Sequence, residues 1–448
     1  MEKIIVIGAN HAGTFAINTM LDSKKDIDLV VYDKNDNISF LGCGMALWIG
    51  NVIDKPDGLF YATPEVLAER GAKINMKHEL VKVDFENKEV VVKDLATQQL
   101  KTDSYDKLIL GLGSWPILPN IKGIDLENVF YAKIYQNAID VIEKLKDPNI
   151  KRVAVVGAGY IGVELVEAFK ENGKEIILIN DQNVLNNYYD VEFQDMMKNN
   201  LTDNGIKLSL GEFVTEIKGV DNKVTSVVTD KNEYDVDMVL MSIGFKPNTD
   251  LLKSTNIELA SNGAVVVNDQ QQSSINDVFA IGDCANIYSN ATNSQEYIAL
   301  ATNAVRTGIV SGYNAVGIPV HMQGVQGSNA IHIYGLTMAS TGISEEVALK
   351  KGIAVDQVTV EEWIKPEFMP DNHKVKLKVI WEKDSKRIIG AQMASEYDIT
   401  LALHFFSLAI QQQYTIDKLA LTDLFFLPHF NQPANFITKA GLVALTKL

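Results

Sequence analysis

Short apolar strands, glycine-containing turns and apolar-periodic helices follow one another in the same order at two places along the chain. Residues 3–33 predict a strand (KIIVIG), a turn, a helix and a second strand (DLVVYD) that ends at Asp33. Residues 151–181 repeat this order with the strand RVAVVG, the turn GAGYIG, a helix and the strand EIILIND, which ends at Asp181. Because this is the order of a mononucleotide-binding half of a doubly wound sheet, the sequence predicts two nucleotide sites.

The segments outside these two units also have the periodicity of strands and helices. Residues 74–95 include the alternating run ELVKVDFENKEVVVKD, and the region from residue 320 onward includes the strands KVKLKVIWE and RIIGAQM. Helical stretches are predicted at 397–413 and 433–446. This last region has no glycine-rich turn, so we expect a separate α+β domain there. The predicted fold class is α/β, with two doubly wound (Rossmann-like) domains and a C-terminal α+β domain.

Size and composition limit the classes of protein that this chain can represent. Its 448 residues exceed one hydrophobic core and predict several domains of about 100 to 200 residues each. A formal net charge of −16 repels phosphate backbones and anionic lipids, so we expect neither nucleic acid nor a membrane as a partner. Two cysteines cannot form a disulfide framework, and neither a secretory signal nor a run of roughly 20 apolar residues is present, which predicts a cytoplasmic location.

The turn of the first unit carries a variant of the dinucleotide fingerprint. Its residues are Gly8, Ala9, Asn10, His11, Ala12 and Gly13. Asn10 stands where the fingerprint has its second glycine. The chemistry requires backbone N–H groups to approach a pyrophosphate at a helix N-terminus, which a small residue still permits. Asp33 follows Gly13 by 20 residues and is placed to accept hydrogen bonds from a ribose.

The turn of the second unit matches the fingerprint in full. Its residues are Gly157, Ala158, Gly159, Tyr160, Ile161 and Gly162. The predicted strand before it and the helix after it supply the structural context that the fingerprint needs. At the end of the following strand, Asn180 and Asp181 both stand where one carboxylate is expected to bind the adenosine ribose and to repel a 2′-phosphate. Asp181 favours NADH, whereas Asn180 leaves NADPH open.

Cys43 lies in the segment SFLGCGMALWIG with no second cysteine nearby in the chain. A lone cysteine is most often a small buried side chain, and we interpret Cys284 in that way. Cys43, however, stands just ahead of the predicted helix MALWIG, where a helix N-terminus would favour the reactive thiolate. A single redox-active thiol without a partner can cycle only through a sulfenic acid or a mixed disulfide, so the expected electron acceptor is peroxide, oxygen or a small disulfide.

These motifs together carry a resemblance to a known family over essentially the whole chain. They are His11 in the first turn, SFLGCGMALWIG, GSWPILP, VVGAGYIGVELVEAF, IGFKPNTDLL, IGDCA and IALATNAVRTG. In this order they resemble the pyridine nucleotide-disulfide oxidoreductase superfamily in its single-cysteine branch. That branch contains NADH peroxidases, water-forming NADH oxidases and coenzyme A-disulfide reductases, and the resemblance is strongest to the water-forming NADH oxidases. It implies FAD and NAD(H) as cofactors.

The resemblance also implies roles for individual residues. FAD would be bound by the first turn together with Asp33, Lys34, Gly113, Ser114, Lys133, Gly282, Asp283, Leu300, Ala301 and Thr302. NADH would be bound by the second turn together with Glu164, Asn180, Asp181, Tyr188 and Gly244. Tyr160 would cover the nicotinamide side of the flavin, as a ring that moves aside when NADH arrives.

Two histidines have more than one interpretation. His11 could simply cap the first helix, and beside its N–H groups the imidazole should be neutral because the dipole opposes protonation. The family has an active-site histidine at this place, which favours a catalytic role for His11 in either acid–base work or positioning. LPHFNQP resembles, without matching, the segment by which two-cysteine reductases lend a base to the neighbouring subunit, so we interpret His429 as an interface residue.

Domain division and assembly follow from the same resemblance. The FAD-binding domain would comprise residues 1–120 and 250–320, the NAD(H)-binding domain residues 121–249, and the C-terminal domain residues 321–448. Subunits of the family pair through the last domain, so a homodimer is expected. The apolar runs HFFSLAI and LFFLP in that domain are explained equally well as interface or as core.

The expected function is that of an FAD-dependent NADH oxidase which reduces dioxygen to water. As the resemblance implies, the Cys43 thiolate would reduce peroxide to water and become a sulfenic acid, and a second NADH would restore the thiol. The nearest alternative is an NADH peroxidase, and a coenzyme A-disulfide reductase is a more distant one. A flavin redox sensor without turnover is the non-enzymatic alternative. No metal site is expected.

Overall fold

The chain begins with the first nucleotide-binding unit and a small antiparallel sheet. The computed structural model describes residues 1–448. The elements up to residue 116 are β1 (Glu2–Ile7), α1 (His11–Asp22), β2 (Ile27–Asp33), α2 (Met45–Ile49), α3 (Pro64–Glu69), β3 (Lys73–Met76), β4 (His78–Asp84), β5 (Glu89–Asp94), β6 (Leu100–Ser104), β7 (Lys107–Leu110) and β8 (Ser114–Pro116).

The second unit follows with the same alternation of strand and helix. Its elements are β9 (Val129–Tyr131), α4 (Tyr135–Leu145), β10 (Arg152–Val156), α5 (Tyr160–Glu171), β11 (Glu175–Asn180), α6 (Val191–Asp203), β12 (Lys207–Leu210), β13 (Val214–Val220), β14 (Lys223–Thr229), β15 (Glu233–Asp235), β16 (Met238–Met241) and β17 (Phe245–Pro247).

The remaining elements return to the first unit and then form the C-terminal region. They are β18 (Val278–Ala280), β19 (Ile287–Ser289), β20 (Ser294–Glu296), α7 (Ala301–Ala315), β21 (Asn329–Ile333), β22 (Leu336–Gly342), α8 (Glu345–Lys350), β23 (Val355–Trp363), β24 (Lys374–Glu382), β25 (Ile388–Ser395), α9 (Thr400–Gln411), α10 (Ile416–Leu419) and α11 (Phe436–Leu445). None of the helices combines the length and the apolar character that crossing a membrane requires.

Two parallel five-stranded sheets share one topology. Their strand orders are β3-β2-β1-β7-β18 and β12-β11-β10-β16-β9, and every neighbouring pair is parallel. The strand before each turn, β1 or β10, is central, and Ile5 and Val155 in these strands are fully buried. Strands covered on both faces need continuous apolar runs, which explains KIIVIG and RVAVVG. Both turns therefore lie at the carboxyl edge of a sheet, where such folds bind nucleotides.

The C-terminal region is an antiparallel sheet covered by helices. Its strand order is β21-β22-β25-β24-β23, and α9 and α11 pack on it. Two parallel sheets and this α+β region confirm the predicted fold class. The predicted domain boundaries remain a prediction, and one two-stranded sheet crosses them, because β8 of the predicted FAD-binding domain pairs with β17 of the predicted NAD(H)-binding domain.

One of the two apolar runs in this region is core and the other is surface. HFFSLAI lies on α9 and buries Phe406 and Ile410 completely. In LFFLP, by contrast, Phe425 is 69% exposed and Phe426 is 46% exposed. Exposed aromatic residues side by side are typical of interaction surfaces, so the second run is the stronger candidate for an interface. In the first run, Leu408 is the large apolar side chain that reaches the surface, with 57% of it exposed.

A buried charge cluster, called the Lys378 cluster below, joins the second unit to the C-terminal region. The Lys378 ammonium lies within 3.1 Å of carboxylate oxygens of Asp190, Glu192 and Glu345, and its side chain is 4% exposed. Asp190 also exchanges two hydrogen bonds of 2.8 Å with Gln392 of β25. Desolvation alone would lower the pKa of Lys378, but its hydrogen bond with Glu345 and the nearby carboxylates raise it overall, so the amine stays charged.

Candidate active site

The first turn has the shape of a binding site for a pyrophosphate. Gly8 has a φ of +89°, and a Cβ at Gly13 would collide with the Gly8 carbonyl oxygen, so glycine is required at both ends. Helix α1 begins at His11, and no side chain caps its first N–H groups. These N–H groups and the positive end of the helix are available to an anion.

Asp33 holds this turn in place. Its Oδ2 accepts a hydrogen bond of 2.6 Å from the Ala9 N–H, and its Oδ1 accepts one of 2.8 Å from the Asn35 N–H. The residue is buried, and burial raises the pKa of its carboxyl, while the two backbone hydrogen bonds counteract the rise. The ribose contact of Asp33 stays a prediction, and the structure adds that its carboxylate positions the turn.

Three residues of the predicted FAD site form one polar cluster. Ser114 donates a hydrogen bond of 2.7 Å to Asp283, and the Lys133 ammonium lies 2.8 Å from the Ser114 hydroxyl and 3.3 Å from the Asp283 carboxylate. The buried Tyr297 hydroxyl lies near Ser114 and Asp283 but makes no hydrogen bond of good geometry within the protein. Because an unpaired buried hydroxyl is costly, this cluster fits a ligand that offers a polar group.

Close packing of α7 against α1 brings the segment 300–302 to the same place. Cβ atoms at Gly308 and Gly312 would collide with the carbonyl oxygens of Ala12 and Ala16, so only glycine permits this approach. Leu300 then lines one small cavity together with Gly282 and Asp283. The predicted contacts at Leu300, Ala301 and Thr302 therefore lie beside the polar cluster.

Lys34 has a partner within the protein. Its ammonium lies 4.5 Å from the centroid of the Trp115 ring, in a cation–π contact. Gly113, two residues before Trp115, has a φ of +67°. This contact ties the end of β2 to strand β8, which carries Ser114.

The second turn repeats the geometry of the first. Gly157 has a φ of +105°, and a Cβ at Gly162 would collide with the Gly157 carbonyl oxygen. A Cβ at Gly159 would meet nothing within 4 Å. This open space is where a pyrophosphate can approach the backbone, and it explains why Asn10 is accommodated at the corresponding place in the first turn.

Asn180, and not Asp181, occupies the position that Asp33 has in the first unit. It is the last residue of β11, and its Oδ1 accepts a hydrogen bond of 3.1 Å from the Ala158 N–H. Asp181 is exposed and lies one residue beyond the strand. The predicted strand end at Asp181 is therefore wrong by one residue, and the position of the expected ribose carboxylate carries a neutral amide.

Cys43 lies in a single 3-10 turn, Gly42–Gly44, directly before the five-residue helix α2. The residue is exposed, yet the protein atoms around the sulfur desolvate it and raise the pKa of the thiol, and the Glu164 carboxylate raises it further. The prediction that a helix N-terminus lowers this pKa is therefore wrong, because the protein groups around the sulfur raise it. The reason is that a helix of five residues has a weak dipole, while the protein atoms around the sulfur displace water that would stabilise the charged form.

His11 is paired with a tyrosine and does not cap α1. Its Nδ1 lies 2.9 Å from the Tyr61 hydroxyl, and the two rings are parallel within 4°. Burial lowers the pKa of His11, so the imidazole is neutral as predicted, although burial and not the helix is the main cause. Desolvation raises the pKa of the Tyr61 hydroxyl, and the charge of the Cys43 thiolate raises it further. His11 and Tyr61 therefore form a pair that lies within electrostatic reach of Cys43.

Glu164 is a carboxyl group near Cys43 without an ion pair or a hydrogen bond. It lies one helical turn after Tyr160 on α5. Desolvation, with a smaller effect of the Glu167 charge, raises its pKa to about 7. Near neutral pH this group can therefore hold or release a proton beside the thiol.

Replacing Glu164 by glutamine should change how stability depends on pH. The pKa in the folded protein, about 7, lies above the ordinary value of 4.5. The resulting stabilisation is fully present below pH 4.5 and is lost as the pH rises through 7. Between pH 5 and pH 8 the unfolding free energy of the parent should therefore fall by up to roughly 3 kcal/mol more than that of Glu164→Gln. Screening by solvent reduces this difference. Urea unfolding at both pH values measures this, and parallel pH profiles would contradict it.

Tyr160 and Tyr188, both predicted to contact NADH, lie against each other with ring centroids 4.3 Å apart. The Tyr160 hydroxyl donates a hydrogen bond to Asn329 of the C-terminal region. Gly244 at the same edge of the sheet has a φ of +107°. The structure thus brings the predicted NADH residues together at the carboxyl edge of the second sheet.

Sequence reasoning did not identify Tyr61, Tyr189 or Asn329. None of them lies in a glycine-rich turn or beside a cysteine. Tyr61 and Asn329 come from segments that are distant in the chain, and no signal in a single sequence marks them. Tyr189 directly follows the predicted Tyr188, and this neighbour is the signal that could have identified it. The motif residues were found because each motif is contiguous.

Models of one family match most of the chain. The pyridine nucleotide-disulphide oxidoreductase family matches residues 2–308, and the dimerisation domain of that family matches residues 329–434. An NADH oxidase of Streptococcus pneumoniae is 52% identical over 461 residues, which cover 99% of this chain and 100% of that protein.

Two solved structures are similar to this one over nearly their whole length. A water-forming NADH oxidase from Lactobacillus brevis, bound to NADH, is 41% identical with a TM-score of 0.97, and the match covers 100% of this chain and 99% of that one. An engineered mutant of the same enzyme, a water-forming NADPH oxidase bound to NADPH, is 40% identical with a TM-score of 0.96, covering 99% and 98%.

Proposed function

The chain belongs to the pyridine nucleotide-disulphide oxidoreductase family, as its motifs predicted, and we propose that it is an FAD-dependent NADH oxidase that reduces dioxygen to water. The observation that supports this most is the place of Cys43. Its thiol is within electrostatic reach of Asp283 from the predicted FAD site and of Glu164 from the predicted NADH site. The similar NADH oxidases of Streptococcus pneumoniae and Lactobacillus brevis support the same activity.

The two turns and the polar cluster fit the two dinucleotides. FAD would be held by the first turn, by Ser114, Lys133 and Asp283, and by the start of α7. The chemistry that FAD would supply when bound is to accept hydride from NADH and to pass electrons to dioxygen. NADH would be held by the second turn, with Asn180 at its ribose and Glu164 near its nicotinamide.

Cys43 would reduce the hydrogen peroxide that dioxygen and the first NADH yield. The thiolate sulfur attacks one peroxide oxygen, the O–O bond breaks, and the hydroxide that leaves takes up a proton to become water. The sulfur is now a sulfenic acid. The electron pair of a second NADH breaks its S–O bond and releases the second water as the thiolate returns. Two NADH, two protons and one dioxygen thus give two NAD⁺ and two water molecules.

His11 and Tyr61 would carry the proton that this cycle needs. Because the pKa of the Cys43 thiol is raised, a base must accept its proton before the sulfur can attack. The neutral His11, whose Nδ1 lies 2.9 Å from the Tyr61 hydroxyl, is the base that we propose for this proton. The same pair can return a proton to the leaving hydroxide.

Supplying one electron acceptor at a time to the FAD-loaded protein with excess NADH tests the proposal. We expect the fastest turnover with dioxygen, slower turnover with hydrogen peroxide in the absence of air, and none with coenzyme A disulfide. Faster turnover with peroxide than with dioxygen would indicate an NADH peroxidase. A protein whose bound FAD is reduced once by NADH but that turns over with none of the three acceptors would instead be the redox sensor.

Replacing Asn180 by aspartate should strengthen the preference for NADH over NADPH. A carboxylate at this strand end repels a 2′-phosphate, and a repulsion of roughly 1.4 kcal/mol changes the ratio of kcat/KM values about tenfold. The matched control is Asp181→Asn, which removes the exposed carboxylate next in the chain. A large change in the control together with none in Asn180→Asp would show that Asp181 is the ribose carboxylate.

A homodimer is part of this proposal, because the family's dimerisation domain matches residues 329–434 and Phe425 and Phe426 are exposed there. Pairing would cover these rings, which are costly to leave in water. Light scattering on the FAD-loaded protein measures the assembly. A cytoplasmic location also stays part of the proposal and rests on the low cysteine content.

A further inference from the structure

We propose that Asn329 and Ser340 of the C-terminal region hold the Tyr160 ring and thereby set how tightly the NADH site binds its nucleotide. The inference rests on the proposed function, because NADH is the molecule expected at the second turn. It adds two positioning residues, from another part of the fold, that no motif of the chain contains.

The Tyr160 hydroxyl ends in a pocket built from two parts of the fold. It donates a hydrogen bond to Asn329 Oδ1, and it lies 3.2 Å from the hydroxyl of Tyr189. Ser340 donates to the same Asn329 oxygen at 3.0 Å. Burial raises the pKa of Tyr160, so its hydroxyl keeps its proton and acts as a donor.

The orientation of the Asn329 amide is fixed by its other contacts. Its Nδ2 donates a hydrogen bond of 2.8 Å to the Gly327 carbonyl, which turns Oδ1 towards Tyr160. Asn329 and Ser340 are directly paired residues of the antiparallel strands β21 and β22, so both side chains lie on the same face of the sheet. The acceptor that Tyr160 meets is therefore held in place before Tyr160 reaches it.

The other wall of the pocket is fixed as well. Tyr189 is fully buried, and its carbonyl accepts a hydrogen bond of 2.6 Å from the Gln194 side chain. The next residue, Asp190, belongs to the Lys378 cluster. Tyr188, against which the Tyr160 ring packs, is by contrast 37% exposed. The ring is thus anchored at its hydroxyl and borders solvent on the side of Tyr188, so it can leave only when the hydroxyl leaves the pocket.

The position of the ring connects this anchor with nucleotide binding. Tyr160 begins α5 directly after Gly159, and Glu164 on the same face of that helix is within electrostatic reach of Cys43. A nicotinamide bound to the second turn and directed at Cys43 therefore meets the ring. When only a fraction of molecules has the ring displaced, the apparent dissociation constant rises by the inverse of that fraction. Hydrogen bonds that hold the ring consequently weaken the binding of the nucleotide.

Removing the Asn329 acceptor should tighten nucleotide binding. In the FAD-loaded protein, Asn329→Ala is expected to lower the dissociation constant of NAD⁺ about fivefold, which is the typical effect of one neutral hydrogen bond. The KM for NADH should fall with it while kcat stays unchanged. Titration calorimetry with NAD⁺ gives the dissociation constant without turnover, and Ser340→Ala should shift it in the same direction by a smaller factor.

A double-mutant cycle distinguishes this anchor from a general structural effect. Tyr160→Phe loses the hydroxyl with both of its contacts and should bind NAD⁺ at least as tightly as Asn329→Ala, and adding Asn329→Ala to Tyr160→Phe should have no further effect. Asn200→Ala is the matched control, because it removes a 2.8 Å hydrogen bond to the Ile333 carbonyl of the same strand without contacting Tyr160. We expect it to bind NAD⁺ like the parent.

Three results would overturn the proposal while leaving the proposed function intact. The first is a dissociation constant of NAD⁺ that is unchanged or raised in Asn329→Ala. The second is a change in that constant on Asn329→Ala that is the same with and without the Tyr160 hydroxyl. The third is an equal change in the control Asn200→Ala. If Asn329→Ala does not fold, Ser340→Ala in the same two backgrounds decides the question. A parent that neither binds NAD⁺ nor oxidises NADH would instead refute the proposed function.

Discussion

Replacing Cys43 by serine is expected to convert a water-forming oxidase into one that releases hydrogen peroxide. Serine keeps the size of the side chain, but peroxide does not oxidise a hydroxyl group, so no sulfenic acid forms. Both dinucleotide turns are untouched, and NADH oxidation by dioxygen should continue. The parent should consume one dioxygen for every two NADH, and the variant one dioxygen for every NADH with one hydrogen peroxide released. A peroxidase-coupled dye measures the peroxide.

Cys284→Ser is the matched control for this experiment. Cys284 is fully buried, and its sulfur lies 3.2 Å from the carbonyl oxygens of Leu110 and Ile281, to either of which its one hydrogen can be donated. A serine hydroxyl can donate its hydrogen in the same way, so the product should stay water. The absorbance of bound FAD verifies that both variants are loaded equally. Water as the product of Cys43→Ser would remove the sulfenic acid from the mechanism.

Replacing Lys378 by methionine should cost about 3 to 5 kcal/mol of unfolding free energy, as loss of one partner from a buried ion cluster typically does. Methionine fills the volume of the aliphatic stem but leaves the carboxylates of Asp190, Glu192 and Glu345 facing one another without a counter-charge. Because Asp190 also bonds Gln392, the loss should loosen the contact between the second unit and the C-terminal region. Urea unfolding of the FAD-loaded protein, followed by intrinsic fluorescence, measures the change.

Lys350→Met separates this effect from the removal of any lysine. Lys350 forms an ion pair of 2.6 Å with Glu346, but its side chain is 66% exposed. Exposed pairs contribute at most about 1 kcal/mol, because water screens them and long side chains lose entropy. Equal losses in the two variants would show that burial does not set the strength of the Lys378 cluster.

Both nucleotide turns could be predicted from the sequence because their physical requirements are local. A glycine with positive φ, a close backbone approach and a helix start all fall within six consecutive residues in each turn. The alternation of strand and helix then fixes the parallel sheet and its carboxyl edge. The polar cluster of Ser114, Lys133 and Asp283 was predicted only through the family resemblance, since these residues are up to 169 positions apart.

The errors of the sequence analysis have a common origin in distant contacts. The thiol of Cys43 was expected to have a low pKa because a helix follows it, but helix length and desolvation are properties of the folded chain. Glu164, which raises that pKa, comes from the other nucleotide-binding unit. The end of β11 at Asn180 depends on its pairing with Leu210 of β12 and not on local composition. Asn329 and Tyr61 likewise become visible only in three dimensions.

An oxygen-electrode trace of the parent protein tests the central claim most directly. A limiting amount of NADH is added to the air-saturated, FAD-loaded protein, and catalase is added when uptake stops. Reduction of dioxygen to water through Cys43 predicts one dioxygen consumed for every two NADH and no oxygen returned by catalase. Uptake of one dioxygen for every NADH, with half of it returned by catalase, would contradict the account.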